Sequence, residues 1–150
     1  MKRILFIAFL LTCSVSLFAA CGPTKDWNLS EQCMKTLNDR YANARILEVD
    51  YDGGMVKVEI RHDKKDKEVF FTRSCEWIST SWEVAQRNVP EVVMQALQQK
   101  SPNARIDDID FIEMPQGSSY RFDIELRGDH KEYVYITPQG VNTEVLVYHR

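Results

Sequence analysis

The chain has 150 residues, 44% of them hydrophobic and 27% charged, with only 6 Gly and 5 Pro. That composition excludes a disordered, collagen-like or low-complexity protein, and a formal net charge of -3 without a basic stripe argues against nucleic acid as the partner. Beyond the extreme N-terminus no apolar stretch is long enough to cross a bilayer, so a multi-span membrane protein is excluded too.

The N-terminus reads as an export signal. Lys2-Arg3 precede an apolar run from Ile4 to Phe18, and small Ala19-Ala20 close it, which predicts a signal peptide over 1–20 that is removed. Cys21 follows at once, and Leu17-Phe18-Ala19-Ala20-Cys21-Gly22 resembles a bacterial lipobox, in which the cysteine becomes the acylated end of a lipoprotein. Cysteine counting agrees, since a chain starting at position 21 carries Cys21, Cys33 and Cys75, an odd number for an oxidising compartment. Lipid on Cys21 leaves Cys33 and Cys75 to form a disulfide. The alternative is a soluble secreted protein with one unpaired thiol. Residues 21–27 then serve as a tether, and loss of Lys2 and Arg3 takes the net charge from -3 to -5.

The rest of the chain repeats. Asn28 to Tyr51 aligns without a gap with Asn88 to Phe111, sixty residues on, with nine of twenty-four positions identical, among them Asn43-Ala44-Arg45-Ile46 and Asn103-Ala104-Arg105-Ile106. A tandem duplication over 28–84 and 85–150 is expected. Each copy opens with Asn followed three residues later by Glu, the pattern of a capped helix start. Leu29, Cys33, Leu37 and Tyr41, and then Val89, Val93, Met94, Ala96 and Leu97, follow helical spacing, and Ser101-Pro102 closes the second helix.

After each helix the period changes to two. Val56, Val58 and Ile60 alternate with Lys57, Glu59 and Arg61, while Tyr120, Phe122, Ile124 and Leu126 alternate with Arg121, Asp123, Glu125 and Arg127. Asp52-Gly53-Gly54 predicts one hairpin turn, and the charged run His62 to Lys67 a second before a strand at Glu68 to Thr72. Fourth strands are expected at Trp77 to Val84 and Asn142 to Tyr148. The fold class is α+β: two units of a helix plus a four-stranded antiparallel sheet, joined edge to edge, with both helices on one face. In such a unit the helix start and the turn after strand three share one end, which brings Cys33 to Cys75. Val93 and Gln139 are the expected counterparts in the second copy.

At these residues the chain resembles a known family. Pro90 opening a helix, Ser101-Pro102-Asn103-Ala104-Arg105-Ile106 closing it, Tyr120-Arg121-Phe122-Asp123-Ile124, and Thr137-Pro138-Gln139-Gly140 before a last strand are similar to the PepSY-like, beta-lactamase-inhibitor-like proteins exported by Bacteroidetes. Cys75 stands where the family's turn usually has Gly. The resemblance, over about residues 28–150, implies a helix-plus-sheet repeat and an activity of protein binding or hydrolase inhibition.

Chemistry-bearing clusters are sparse. His62, His130 and His149 offer no short-spaced chelating pair, and Asp107, Asp108 and Asp110 lack the glycine-containing loop of a calcium site, so no metal and no cofactor is expected. With no G-x-S-x-G and no reactive cysteine expected, a catalytic set is not expected either, and the reading is not an enzyme. The third strands carry the informative feature. Val69-Phe70-Phe71 and Tyr133-Val134-Tyr135 are apolar on both faces where the second strands alternate. One reading is a central strand covered on both sides; the other is a docking surface of Tyr133, Tyr135 and Phe71 flanked by Arg121 and Lys57. The sequence therefore reads as a lipid-anchored, periplasm-facing or outer-membrane monomer that binds another protein through its open sheet face. An accessory lipoprotein that binds a small ligand or envelope component is the alternative.

Overall fold

A computed structural model describes residues 28–126 and 130–143 of the chain. The signal segment, Cys21, the tether, Arg127, Asp129, His149 and most of the last expected strand lie outside the described residues. In order come α1 (Glu31–Arg40), β1 (Arg45–Asp52), β2 (Met55–His62), β3 (Lys65–Thr72), β4 (Trp77–Glu83), a single 3-10 turn at Gln86–Asn88, α2 (Glu91–Lys100), β5 (Arg105–Met114), β6 (Gly117–Leu126), β7 (His130–Ile136) and β8 (Asn142–Thr143). The class is α+β, and the eight described strands form one antiparallel sheet in sequence order, β1 through β8.

The helix starts differ from the expected Asn caps. Asn28 has φ 50°, outside the extended backbone a cap requires, and its carbonyl instead accepts a hydrogen bond from the Tyr51 hydroxyl at 2.6 Å. Ser30, in extended conformation, caps α1 and accepts from the Cys33 N–H at 3.2 Å. In the second half Pro90 disfavours helical backbone at Val89, so α2 cannot begin earlier, and Asn88 closes the 3-10 turn instead. Both helices end alike, with the N–H of Tyr41 and of Ser101 each 2.8 Å from a leucine carbonyl, Leu37 and Leu97.

Each helix packs on its own set of strands. Leu37 and Tyr41 meet Val56, Val58, Ile60, Val69 and Phe71, while Val93, Ala96 and Leu97 meet Ile109, Tyr120, Phe122, Ile124, Val134 and Ile136. Phe71 and Phe122 are fully buried, and each such side chain contributes about 2–3 kcal/mol by leaving water. Lys57, Glu59, Arg61 and Phe70 alternate with the first set, and Arg121, Asp123, Tyr133 and Tyr135 with the second. The expected placement of Phe71 beside Tyr135 on a docking surface is therefore corrected: Phe71 belongs to the α1 core.

The turns explain that difference. Gly53 and Gly54 form the first two-residue hairpin, and Asp63 and Lys64, both at positive φ, form the second. Lys65 to Lys67 are already strand and His62 still belongs to β2, so only Asp63 and Lys64 of the charged run expected as a turn form it. Three residues, not two, separate β6 from β7. The true partner of Val69-Phe70-Phe71 is Val134-Tyr135-Ile136, and a one-residue slip exchanges the faces of a strand. Ladder irregularities recur at the same place in both halves, between Ile46 and Glu48 and between Ile106 and Asp108.

Cys33 and Cys75 form the expected disulfide, Cα atoms 4.7 Å apart and both residues buried. Cys75 holds φ 66° in a turn where its N–H donates to the Thr72 carbonyl and the Thr72 N–H donates to Glu76. The second half builds the same turn from Thr137, Gly140 and Val141, with Gly140 at φ 81°. Gly140, not Gln139, is thus the counterpart of Cys75. A Cβ on Gly140 would lie 2.8 Å from Val92 Cγ2, so the turn presses against α2 where the first half is covalently bonded to α1.

The halves meet where Thr80 to Glu83 of β4 pair with Glu113 to Asp110 of β5. Thr80, fully buried, accepts hydrogen bonds from the Tyr41 hydroxyl at 2.7 Å and from Trp77 Nε1 at 2.9 Å. Trp82 packs on Phe111 with ring centroids 5.0 Å apart, and Phe111 on Tyr120 at 4.9 Å.

Candidate functional site: the outer sheet face

The residues that alternate with the two cores share a second sheet face. Because the sheet is a meander, its cross-strand rows can be read directly from the register. One row places Asp50, Lys57, Phe70 and Ser79 side by side on β1 to β4. The corresponding row of the second half places Asp110, Arg121, Tyr135 and Thr143 side by side on β5 to β8. Acid, base, aromatic and hydroxyl thus occur in the same order twice. A longer row runs Glu48, Glu59, Glu68, Ser81, Ile112, Ser119 across β1 to β6.

The centre of this face is built from small or medium side chains, and Ser79, Ile112 and Ser119 are all buried. Larger groups stand on either side, Phe70 on β3 and Tyr133 and Tyr135 on β7. At about 4.8 Å per strand, β3 and β7 are roughly 19 Å apart. Tyr133 is 52% exposed, whereas Tyr135, directly beside Arg121, is 8% exposed. The two tyrosines singled out in the sequence thus differ: one is presented to solvent, the other supports it.

Electrostatics holds the bases in place. Arg121 binds Asp110 through Nη2, and its guanidinium carbon is 5.4 Å from the Tyr133 ring centroid. Burial alone would lower the Arg121 pKa, but the hydrogen bond and charge of Asp110 outweigh it and the pKa is raised. Lys57 donates to Glu59 at 2.8 Å and is 3.7 Å from Glu68; the Glu59 bond is the main cause of its raised pKa. Burial raises the Tyr135 phenol above its ordinary value, against the pull of Arg121. Lys57 and Arg121 therefore occupy matching places in the two rows, one at each end of the face, and Tyr133 and Tyr135 gather around Arg121 only.

Sequence reasoning missed Phe70, Ser79, Ser81, Ile112, Ser119 and Thr143. The strand alternation that picked out Arg121 and Asp123 contains the signal for Phe70 once the register is known. The small central residues carry no such signal. At the C-terminal end of α1, Arg40 stacks 3.3 Å from the Trp77 ring centroid beside Glu113, Met114 and Pro115, which line an open cleft of about 490 Å³. Among the described residues no group of three or more His, Cys, Asp or Glu is arranged to hold a metal ion.

Two helices packed on one open antiparallel sheet of eight described strands define an α+β fold. The chain belongs to the family described as "Putative beta-lactamase-inhibitor-like, PepSY-like", whose model matches residues 56–141. Solved structures share the fold. A BLIP-like protein from Bacteroides fragilis superposes with a TM-score of 0.69 at 24% identity, over 77% of this chain and 83% of its own. A DUF2874 family protein from Bacteroides uniformis gives 0.68 at 15% identity, over 77% and 87%. A structure of "putative periplasmic proteins" from Bacteroides eggerthii gives 0.65 at 17% identity, over 77% and 86%. Among curated proteins there is no match.

Proposed function

We propose that this is an exported, lipid-anchored binding module that engages another protein through its outer sheet face and thereby inhibits a hydrolase of the protease or beta-lactamase type. In this reading the two halves descend from one duplicated unit and both helices cover the opposite face, leaving the outer face free for a partner. The repeated rows, the matching ladder irregularities and the matching turns at Cys75 and Gly140 support the duplication. Tyr41, which ends α1, reaches Thr80 and Glu113 at the seam between the halves, on the same side as the α2 core row of Phe111 and Tyr120.

The observation that carries the docking role is Tyr133. It is a large aromatic, half exposed, on a strand whose inward residues Val134 and Ile136 are fully buried, so the helix-side core does not require it. Tyr and Arg are both among the residue types enriched at binding hot spots. The test uses the acylated, full mature protein as bait in extracts of its own cell envelope. Tyr133→Ala should leave thermal stability within about 0.5 kcal/mol of wild type and weaken capture of the partner by more than about 2 kcal/mol. Unchanged capture by a folded Tyr133→Ala protein refutes this face as the docking site. The alternative, a ligand-binding accessory lipoprotein, requires an enclosed apolar pocket.

A further inference from the structure

The outer face is acidic, and its polar groups are not fully used. Glu48, Glu59 and Glu68 lie abreast on three strands, and on the other side Asp108 lies beside Asp123 and Glu83 beside Asp110. The bases between them are committed: Lys57 to Glu59 and Glu68, Arg121 to Asp110, and Lys131 to Asp107. Like charges facing each other across a ladder are unfavourable and are retained here side by side.

At the Tyr133 corner three buried polar atoms lack any hydrogen-bond partner: Arg121 Nε, Asp123 Oδ1 and Thr143 Oγ1. They are neighbours, because Tyr135 lies between Arg121 and Thr143, and Asp123 lies directly beside Tyr133. One is a donor, one an anionic acceptor and one a hydroxyl that can act either way. An incoming loop that satisfies the first two brings an acceptor for Arg121 Nε and a donor for Asp123 Oδ1, and the surrounding carboxylates favour a cationic donor. Between Phe70 and the tyrosines, on strands about 19 Å apart, the face carries only the small or medium side chains of Ser79, Ser81, Ile112 and Ser119.

We propose that the partner presents a basic loop to this face, a Lys or Arg side chain of which binds Asp123 Oδ1 while a loop carbonyl accepts from Arg121 Nε. The inference rests on the docking function proposed above and adds the chemistry of the occupant. Negative potential on one side and a cation on the other also speeds encounter and makes binding salt-dependent.

A phage library of disulfide-closed loops, panned on the full mature protein held by its N-terminus, tests it without knowledge of the natural partner. Enriched loops should carry a Lys or Arg at a fixed position and shift amide resonances of β5 to β7. Their affinity should fall about tenfold or more on Asp123→Asn, and again between about 50 and 300 mM salt in the wild-type protein. The salt series needs no variant, so a poorly folded Asp123→Asn protein does not shelter the idea. Loops that shift β5 to β7 yet lack a basic residue, or ignore salt, overturn the basic occupant and leave the docking face standing. Loops that map to the helices, or no enrichment at all, overturn both.

Discussion

Removing the Cys33–Cys75 bridge separates two effects that the fold combines at one residue. The bridge closes a loop with a sequence separation of 42, for which the chain-entropy model gives about 4 kcal/mol at room temperature. Cys75 also occupies the left-handed region at φ 66°, which costs a residue with a Cβ about 1 kcal/mol relative to glycine. Cys33→Ala with Cys75→Ala should therefore lose about 4 kcal/mol, equivalent to a Tm drop of about 15 °C for a domain of this size. Cys33→Ala with Cys75→Gly should recover about 1 kcal/mol of that, because the second half makes the same turn with Gly140 and no bridge. Urea unfolding followed by tryptophan fluorescence, with m values compared across the three proteins, measures both steps. A double-alanine protein within about 1 kcal/mol of wild type, or a glycine variant no more stable than the alanine variant, would refute the reasoning.

Four further outcomes are expected. Gly140→Ala places a Cβ 2.8 Å from Val92 Cγ2 and 3.0 Å from its carbonyl oxygen at φ 81°, and should cost about 1–3 kcal/mol by denaturant titration. Tyr41→Phe removes the 2.7 Å bond to Thr80, which keeps its Trp77 donor, so the loss should be about 1 kcal/mol; no loss would show the bond to be idle. Burial holds the phenols of Tyr41, Tyr120 and Tyr135 above the ordinary 10.0, so the stability tied to their neutral form is whole below that value and lost as pH rises through the folded pKa values. Lys57 acts in the same sense above 10.5, so the urea midpoint should hold level from about pH 8 and fall above about pH 10, and a level midpoint to pH 11 contradicts this. Mass spectrometry of protein from its own envelope should find Cys21 acylated; an unmodified N-terminus there removes the anchor.

The strands were legible because their residues alternate and because similar strings recur sixty residues apart. Asn43-Ala44-Arg45-Ile46 and its copy mark the passage from helix to strand, and Gly53-Gly54 declares its turn by composition. The disulfide followed from an odd cysteine count and the direction of four strands. The helix caps were misread because a nearer Ser30 and a blocking Pro90 compete with Asn28 and Asn88, and spacing alone does not rank them. Phe71 was misread because the second half has one more residue between β6 and β7 than the first has between β2 and β3. A copy-to-copy alignment can absorb that residue unnoticed, yet it decides which face a side chain occupies. The burial of Tyr135 beside Arg121 is likewise a property of neighbouring strands, and alternation along one strand cannot report it.

The sequential order of the strands also sets how the chain must fold. Every ladder joins neighbours in sequence, and two of the closures within the first half span only two residues, so contact order stays low for a sheet of this size. The longest closure among the described strands is the β4–β5 pairing, which must wait until the chain from Val84 to Ala104, α2 included, has been brought around. That ladder has four residue pairs where β2–β3 has eight. The first half therefore has all its own closures available before the second is complete, and the late β4–β5 zipper is where a folding rate should respond most to mutation.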